Sequence, residues 1–174
     1  MDSFINEDFL LTTHISRQLY HEIAENLPVI DFHNHLDPQK LAENHKFADL
    51  AELWIHTDPY KHRVMRIAGI DEEMITGIGI SGKERYDTWA SIFPRTLGNP
   101  LFHWSCMELK RFFGIDEILN RENAGEIWKV CNDILRQSGW GMLDILKRCR
   151  VEMLCTSDDL LADFTLHRQA SLQP

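Results

Sequence analysis

Two short apolar segments, VIDFH at residues 29–33 and VEMLCT at 151–156, constrain the fold of this chain more than any other feature. Each is apolar in most positions and is bounded by proline or polar residues, which predicts a buried strand at the first segment and a second strand at the other. The residues between them have the periodicity of helices, and strands that are joined through helices pair in parallel. The sequence therefore predicts an α/β protein.

Helices are predicted at both ends of the chain. The first covers residues 5–26, and Pro28 ends it just before the first strand. After the second strand, residues 158–170 are predicted to form the last helix. Asp158 would be the N-cap of that helix, because an aspartate accepts hydrogen bonds from the free N–H groups of a first turn.

The clearest helical pattern lies in the middle of the chain, at residues 124–137. Apolar side chains recur there at helical spacing and form a single stripe. Asn123 and Glu126 resemble a capping box at its start, and Gly139 is suited to its end. We therefore expect a well-formed amphipathic helix between the two strands.

Two parallel strands do not form a stable sheet by themselves, because such sheets have further strands beside them and helices on both faces. A complete (β/α)₈ barrel takes about 250 residues, whereas this chain has 174. Either the sheet is very small, or the chain is the first part of something longer. The absence of an obvious final element after the last predicted helix favours the second interpretation.

The composition excludes several kinds of partner. Eighteen basic residues against twenty-seven acidic ones leave a net charge of −9, which would repel the phosphates of a nucleic acid. No apolar run approaches the ~18 residues that a membrane span needs, and the acidic N-terminus differs from a signal peptide. We therefore predict a soluble, cytoplasmic protein with neither a nucleic-acid nor a membrane partner.

His33 and His35 stand at alternate positions where the first strand ends. Residues i and i+2 of a strand point to the same face, so the two imidazoles could hold one divalent ion where barrel active sites gather. Imidazole is a common ligand of zinc and similar ions. The alternative is two ordinary, partly buried histidines, since a chain with nine histidines can contain such a pair by chance.

Two further segments combine residues that could carry chemistry. GIGISGKE (77–84) nearly matches a phosphate-binding loop, but Glu84 replaces the Ser or Thr that would bind magnesium. A charged, helix-like segment precedes it, so we predict an ordinary loop between helices. DPYKHRVMR (58–66) is either a solvated helix face or an anion clamp with a tyrosine that could pass a proton.

Several of these segments together resemble the uronate isomerases, a branch of the amidohydrolase superfamily. The resemblance runs from about Phe4 to His167, nearly the whole chain. The segments that carry it are DFHNHLDP, DPYKHRVMRIAGI, TLGNPLFHWSCMELKRFFGI and VEMLCTSDD. The third segment is specific to this family, whereas the His-x-His pair is common to the superfamily.

The resemblance implies the N-terminal part of a distorted (β/α)₈ barrel of the TIM type, with a large, mostly helical insertion after strand one. Residues 1–36 would supply the N-terminal helix and barrel strand one, and residues 37–150 the insertion. Residues 151–174 would supply strand two and the helix after it. Family members are much longer, and a late aspartate that serves them as metal ligand and base has no counterpart here.

The implied reaction is an aldose–ketose isomerisation in hexuronate catabolism. It interconverts D-glucuronate with D-fructuronate, and D-galacturonate with D-tagaturonate. His33 and His35 match the family's metal-binding pair, which implies a divalent cofactor, with zinc expected first. Tyr60 matches a tyrosine near the substrate that could carry protons between the sugar oxygens. Arg63 and Arg66 are expected to bind the uronate.

Some expectations concern the whole assembly. The short chain should have little or no activity, because distant strands complete the site, and it is expected to form a homo-oligomer.

Pro59 stands where many relatives have histidine, which removes one polar group beside Tyr60. Two other functions stay open: a metal-dependent hydrolase of the same superfamily, and a helical binding module without catalysis.

Overall fold

The computed structural model describes residues 3–159 and 161–173, and the chain divides into two compact units. The strand unit comprises residues 10–47 together with those from 139 onward. The helical unit comprises residues 48–138 and the N-terminal segment through Phe9. Within the described residues, every helix is too short or too polar to cross a membrane.

The elements alternate in the order that the periodicity predicts, with most helices lying between the two strands. Among the described residues they are, in chain order, α1 (His14–Glu22), a 3-10 turn (Ala24–Asn26), β1 (Val29–Asn34), α2 (Pro38–Ala42), α3 (Leu50–Trp54), α4 (Pro59–Ile67), α5 (Glu72–Thr76), α6 (Gly82–Ile92), a 3-10 turn (Phe93–Thr96), α7 (Pro100–Phe113), α8 (Ala124–Ser138), α9 (Met142–Arg148), β2 (Val151–Thr156) and α10 (Thr165–Ser171). The predicted α/β class is thereby confirmed. Whether the helices between the strands form an insertion in a barrel stays a prediction.

The strand unit is built on the parallel pair of β1 and β2. The parallel pairing that the sequence predicts is confirmed, and Asn34 stands opposite Thr156, so the carboxyl ends of both strands meet at one edge. The predicted burial of β1 is wrong for this chain: Ile30 is 54% exposed and Phe32 is 83% exposed. The reason is that two strands with their few helices leave much of the sheet uncovered.

The first helix is shorter than the predicted 5–26. Thr13 and Ser16 form a reciprocal capping box that starts α1 at residue 14. The preceding segment instead packs into the helical unit, where the Phe4 ring lies 5.3 Å from the Phe102 ring and the Phe9 ring lies 5.4 Å from the His103 ring. These aromatic contacts outweigh the helical propensity of the segment.

The last helix also differs from the predicted 158–170, of which residue 160 lies outside the described residues. It begins at Thr165, and Asp158 is not its N-cap. The Asp158 carboxylate instead accepts a hydrogen bond from the Thr156 hydroxyl and lies 3.2 Å from His167 Nε2. Thr156 and His167 therefore occupy the Asp158 carboxylate, which does not cap α10.

The helical unit has an apolar core made largely by α6, α7 and α8. Trp89 and Phe93 are fully buried, and the Phe93 ring stacks on Phe102 with centroids 5.0 Å apart. The predicted helix at 124–137 is confirmed as α8. Gly139 follows it with a φ of +63°, which glycine adopts without strain.

The capping box predicted at the start of α8 is wrong. The Asn123 side chain accepts from the Asn120 amide at 2.8 Å and donates to the Ile118 carbonyl at 3.0 Å, so it closes the preceding turn. The loop predicted at GIGISGKE is confirmed, because α5 ends at Thr76 and α6 begins at Gly82. Ser81 and Glu84 form the capping box that starts α6. Its glycines follow one helix and start the next, which leaves no strand to present a phosphate-binding loop.

Candidate active site at the carboxyl ends of the strands

His33 and His35 converge at the carboxyl end of β1. Their Nε2 atoms are 3.3 Å apart, and the ring planes cross at 83°. Both residues are exposed, so an ion or a small molecule can approach them. The structure thus brings together the two imidazoles that the alternate spacing places on one face.

The separation of the two nitrogens fits a shared divalent ion. Two ligand nitrogens that bind zinc at ~2.0–2.1 Å in tetrahedral geometry lie about 3.3 Å apart, which is the separation found here. Within residues 3–159 and 161–173, no group of three or more His, Cys, Asp or Glu side chains is placed to hold a metal. The pair therefore fits half of a metal site.

Asp31 stabilises the backbone beneath this pair. Its carboxylate accepts from the His33 amide at 3.3 Å and from Asn34 Nδ2 at 3.1 Å. The Asn34 side chain in turn accepts from the Leu36 amide at 3.1 Å. These bonds satisfy polar groups where β1 leaves the sheet, so they fix the turn that carries both histidines.

The end of β2 supplies a second set of polar groups. Ser157 Oγ donates to the Asn34 carbonyl at 2.8 Å and lies 3.3 Å from His33 Nδ1. Thr156 Oγ1 donates to Asp158 and lies 2.8 Å from His167 Nε2, which ties the strand end to α10. Two hydrogen-bonded groups of side chains therefore lie side by side at the edge where the strands meet.

Tyr60, Arg63 and Arg66 lie on α4 of the helical unit. Tyr60 and Arg63 are exposed and, being three residues apart, share one face of the helix. Asp58 starts the helix by accepting from the amides of Tyr60 at 2.8 Å and Lys61 at 3.0 Å. Pro59 occupies the first helical position, where its missing N–H is no loss.

Arg66 already has a carboxylate partner. Its Nε and Nη2 atoms donate to the two carboxylate oxygens of Glu72 at 2.7 and 2.6 Å. This fork lowers the pKa of Glu72 to about 2, with a further contribution from the Thr76 hydroxyl. Glu72 therefore competes with any substrate carboxylate for Arg66, whereas Arg63 is exposed on the same helix and has no such partner among the described residues.

A buried charge cluster lies beneath Tyr60. Lys61 is 4% exposed, and its Nζ atom is 2.9 Å from Asp58 and 5.5 Å from the centre of the Trp54 ring. Burial alone would raise the pKa of Asp58, but the charge and hydrogen bonds of Lys61 outweigh it and lower that pKa. Burial raises the pKa of Glu108, and Lys61 opposes that shift only in part.

Sequence reasoning missed Ser157 and Lys61. Ser157 could have been found, because the carboxyl ends of neighbouring parallel strands meet and the residue after β2 must therefore face the end of β1. Lys61 carried no such signal, since a lysine within DPYKHRVMR looks like any other base on a solvated helix. Its burial depends on Trp54 and Trp89, which lie elsewhere in the sequence.

Comparisons with known proteins agree on one family. A family model described as glucuronate isomerase matches residues 1–173. The uronate isomerase of Bacillus licheniformis is 46% identical over 159 residues, which are 91% of this chain and 33% of that protein. The uronate isomerase of Geobacillus stearothermophilus is 42% identical over 174 residues, which are 100% of this chain and 37% of that protein. The chain thus spans about a third of the length of these relatives.

Solved structures give the same result. The crystal structure of a uronate isomerase from Thermotoga maritima matches with a TM-score of 0.91 and 37% identity, over 98% of this chain and 37% of that one. A glucuronate isomerase from Caulobacter crescentus matches with a TM-score of 0.83 over 95% of this chain and 36% of that one. At 22% identity, the second match supports the fold alone. The resemblance found in the sequence motifs is confirmed.

Proposed function

This chain belongs to the glucuronate isomerase family, and on that premise we propose that it is the N-terminal part of an aldose–ketose isomerase of hexuronates. The substrates would be D-glucuronate and D-galacturonate, and the products D-fructuronate and D-tagaturonate. The observation that carries the proposal is the convergence of His33 and His35 on one point, in a chain that the family model matches from end to end.

The two strands would be the first two of a (β/α)₈ barrel. Apolar strands of a parallel sheet need cover on both faces, and Phe32 and Met153 are 83% and 53% exposed here. Further strand and helix units, in a protein about three times as long, would provide that cover. They would also bring the remaining ligands and the carbon base to the edge where β1 and β2 end.

His33 and His35 would hold one divalent ion, for which zinc is the first choice. When bound, such an ion polarises the oxygens of the sugar and stabilises the negative charge that develops on them. The chain's own part is to present two imidazole nitrogens at a fixed separation, backed by the hydrogen bonds of Asp31 and Ser157.

Tyr60 would move protons between the sugar oxygens. In the isomerisation, the C2 proton is removed and a proton is returned to C1, while the hydroxyl proton of O2 is lost and O1 gains one, so the formula is unchanged. A phenol can donate to one oxygen and accept from the other as the enediol forms and collapses. Arg63, on the same helix face, would bind the uronate carboxylate by a charge-assisted hydrogen bond.

A chimeric enzyme tests this function directly. Residues 1–173 would replace the matched segment of the Geobacillus stearothermophilus uronate isomerase, and isomerisation of both uronates would be measured. We expect activity in the chimera, little or none in the 174-residue chain alone, and a loss of about 10²–10⁴-fold in kcat for Tyr60→Phe.

The matched control is His14→Ala, an exposed histidine on α1, beside His33→Ala and His35→Ala. Only the last two should lose metal and activity. A folded chimera that is inert toward both uronates, while the parent enzyme is active, would refute the proposed function. Faster turnover of a lactone or amide than of any uronate would instead support a hydrolase.

A further inference from the structure

We propose that Ser157 is a positioning residue that fixes the tautomer of His33 and thereby aims the His33 Nε2 lone pair at the metal position. The inference rests on the proposed function only in naming a divalent ion as the ligand. Ser157 lies 124 residues from His33 in the sequence, and the pairing of β1 with β2 brings the two together.

The hydroxyl of Ser157 donates its proton to a backbone carbonyl. Ser157 Oγ lies 2.8 Å from the Asn34 carbonyl oxygen, which can only accept, so the hydroxyl donates there. The same Oγ lies 3.3 Å from His33 Nδ1. Since a hydroxyl has a single proton, this second contact is favourable only if His33 Nδ1 carries the proton and donates it to Ser157.

The tautomer of His33 follows from this contact. A neutral imidazole protonated on Nδ1 has its lone pair on Nε2, and Nε2 is the atom that faces His35 at 3.3 Å. Metal-bound histidines generally donate their other ring N–H to an outer partner, which sets the orientation of the ring. Ser157 has the chemistry and the position of such a partner.

The same reasoning distinguishes the two histidines. Between the facing Nε2 atoms there is room for one proton, and since His33 offers a lone pair there, His35 must be the donor. Before zinc is added, His33 should therefore be the Nδ1–H tautomer and His35 the Nε2–H tautomer. Zinc binding should leave His33 unchanged and move the remaining proton of His35 to Nδ1.

The strand end around Ser157 is held in place by its neighbours. Thr156 and Asp158, on either side of Ser157, are hydrogen-bonded to each other, and both lie within reach of His167 Nε2 at 2.8 and 3.2 Å. His167 belongs to α10, so a helix fixes the loop that carries the serine. Such support distinguishes a built contact from a chance encounter of two exposed side chains.

Nitrogen-15 NMR of the histidine rings tests the proposal in the 174-residue chain itself, at a pH of about 9, where imidazoles are neutral. We expect an Nδ1–H signal for His33 in the wild type and in Ser157→Thr, and mostly Nε2–H in Ser157→Ala. Ser171→Ala is the matched control, because that hydroxyl bonds to a carbonyl of its own helix.

Zinc affinity gives a second readout, measured by competition with a chromophoric chelator. Ser157→Ala should bind zinc about 10–100-fold more weakly than the wild type, whereas Ser157→Thr should stay close to it. An Nε2–H tautomer of His33 in the wild type, or an unchanged tautomer or zinc affinity in Ser157→Ala, would overturn the proposal. An inactive chimera with these results intact would refute the isomerase function and leave the role of Ser157 standing.

Discussion

Replacing Lys61 by methionine tests whether a buried ion pair holds the start of α4, the helix that carries Tyr60. The Lys61 side chain is 5% exposed and that of its partner Asp58 is 23% exposed, with 2.9 Å between Nζ and Oδ2. Methionine is long and apolar and can fill the same space against Trp54 and Trp89. The substitution therefore removes the charge with little change in packing.

The expected loss follows from what remains around Asp58. Breaking a fully buried pair costs about 3–5 kcal/mol, because the remaining charge has no partner. The Asp58 carboxylate keeps its hydrogen bonds from the Tyr60 and Lys61 amides, so it does not lose every partner. We expect the free energy of unfolding to fall by about 2–3 kcal/mol at pH 7.

Urea unfolding followed by tryptophan fluorescence measures this loss. Four of the five tryptophans, at positions 54, 89, 104 and 128, lie in the helical unit, so the signal reports mainly on that unit. The matched control is Lys83→Met, which removes a pair with Asp87 whose side chains are 41% and 48% exposed. An exposed pair of this kind contributes less than about 1 kcal/mol.

The pH dependence gives a sharper test. Because the pKa of Asp58 lies below its ordinary value of 3.8 in the folded protein, the pair stabilises the fold above that value. The contribution is lost as the pH falls through the lowered pKa, so wild type and Lys61→Met should converge in acid. Equal stability at pH 7, or a difference that is the same at pH 7 and pH 3, would show that the charge does not hold this helix.

Three further outcomes are expected. Burial raises the pKa of Glu108, so ionisation of this carboxylate lowers stability as the pH rises past the ordinary value of 4.5. At pH 8 the Glu108→Gln variant should therefore unfold at a higher urea concentration than the wild type, and the two unfolding midpoints should approach each other toward pH 4.5. Asn132→Ala leaves the Leu50 amide, the first of α3, without its acceptor at 3.0 Å and should lower the free energy of unfolding by about 1–3 kcal/mol. The surface variant Lys83→Met should lose less, and an equal loss there would contradict the role of the buried hydrogen bond. Cys131 is fully buried and its thiol pKa is raised to about 12, so a thiol reagent should modify it only after urea unfolds the helical unit. Peptide mapping would distinguish it from the exposed Cys149, and rapid modification of Cys131 in the native protein would refute the prediction.

The fold was predictable where local patterns and tertiary structure agree. The apolar runs of β1 and β2, separated by helical periodicity, were enough to give two parallel strands. The amphipathic stripe of α8 was likewise enough to place that helix within one residue of its observed ends. These elements follow from the periods of 2 and 3.6 residues, which a single sequence shows directly.

Element ends were predicted less well, because tertiary partners decide them. The segment before α1 has helical spacing, but its phenylalanines pack on α7 instead. Asp158 has the composition of a helix N-cap, but Thr156 and His167 occupy its carboxylate. In both cases contacts of the side chains outweigh a local preference, which for a helix N-cap is worth about 1 kcal/mol.

Local patterns also predicted part of the geometry of the candidate functional residues. Convergence of His33 and His35 depends on the two-residue period of a strand, so the spacing alone predicted it. The start of α4 was also predictable from the sequence, because aspartate is favoured at the N-cap and proline at the first helical position. Asp58 and Pro59 thereby fix the backbone at Tyr60. The contact of Ser157 with His33 depends instead on the pairing of β1 with β2, from which the sequence predicts that the strand ends meet but not which side chains bond there. Asp31 and Asp58 support the candidate residues through local hydrogen bonds, whereas Ser157 does so across the strand pair, so only the first kind of support can be inferred from a short motif.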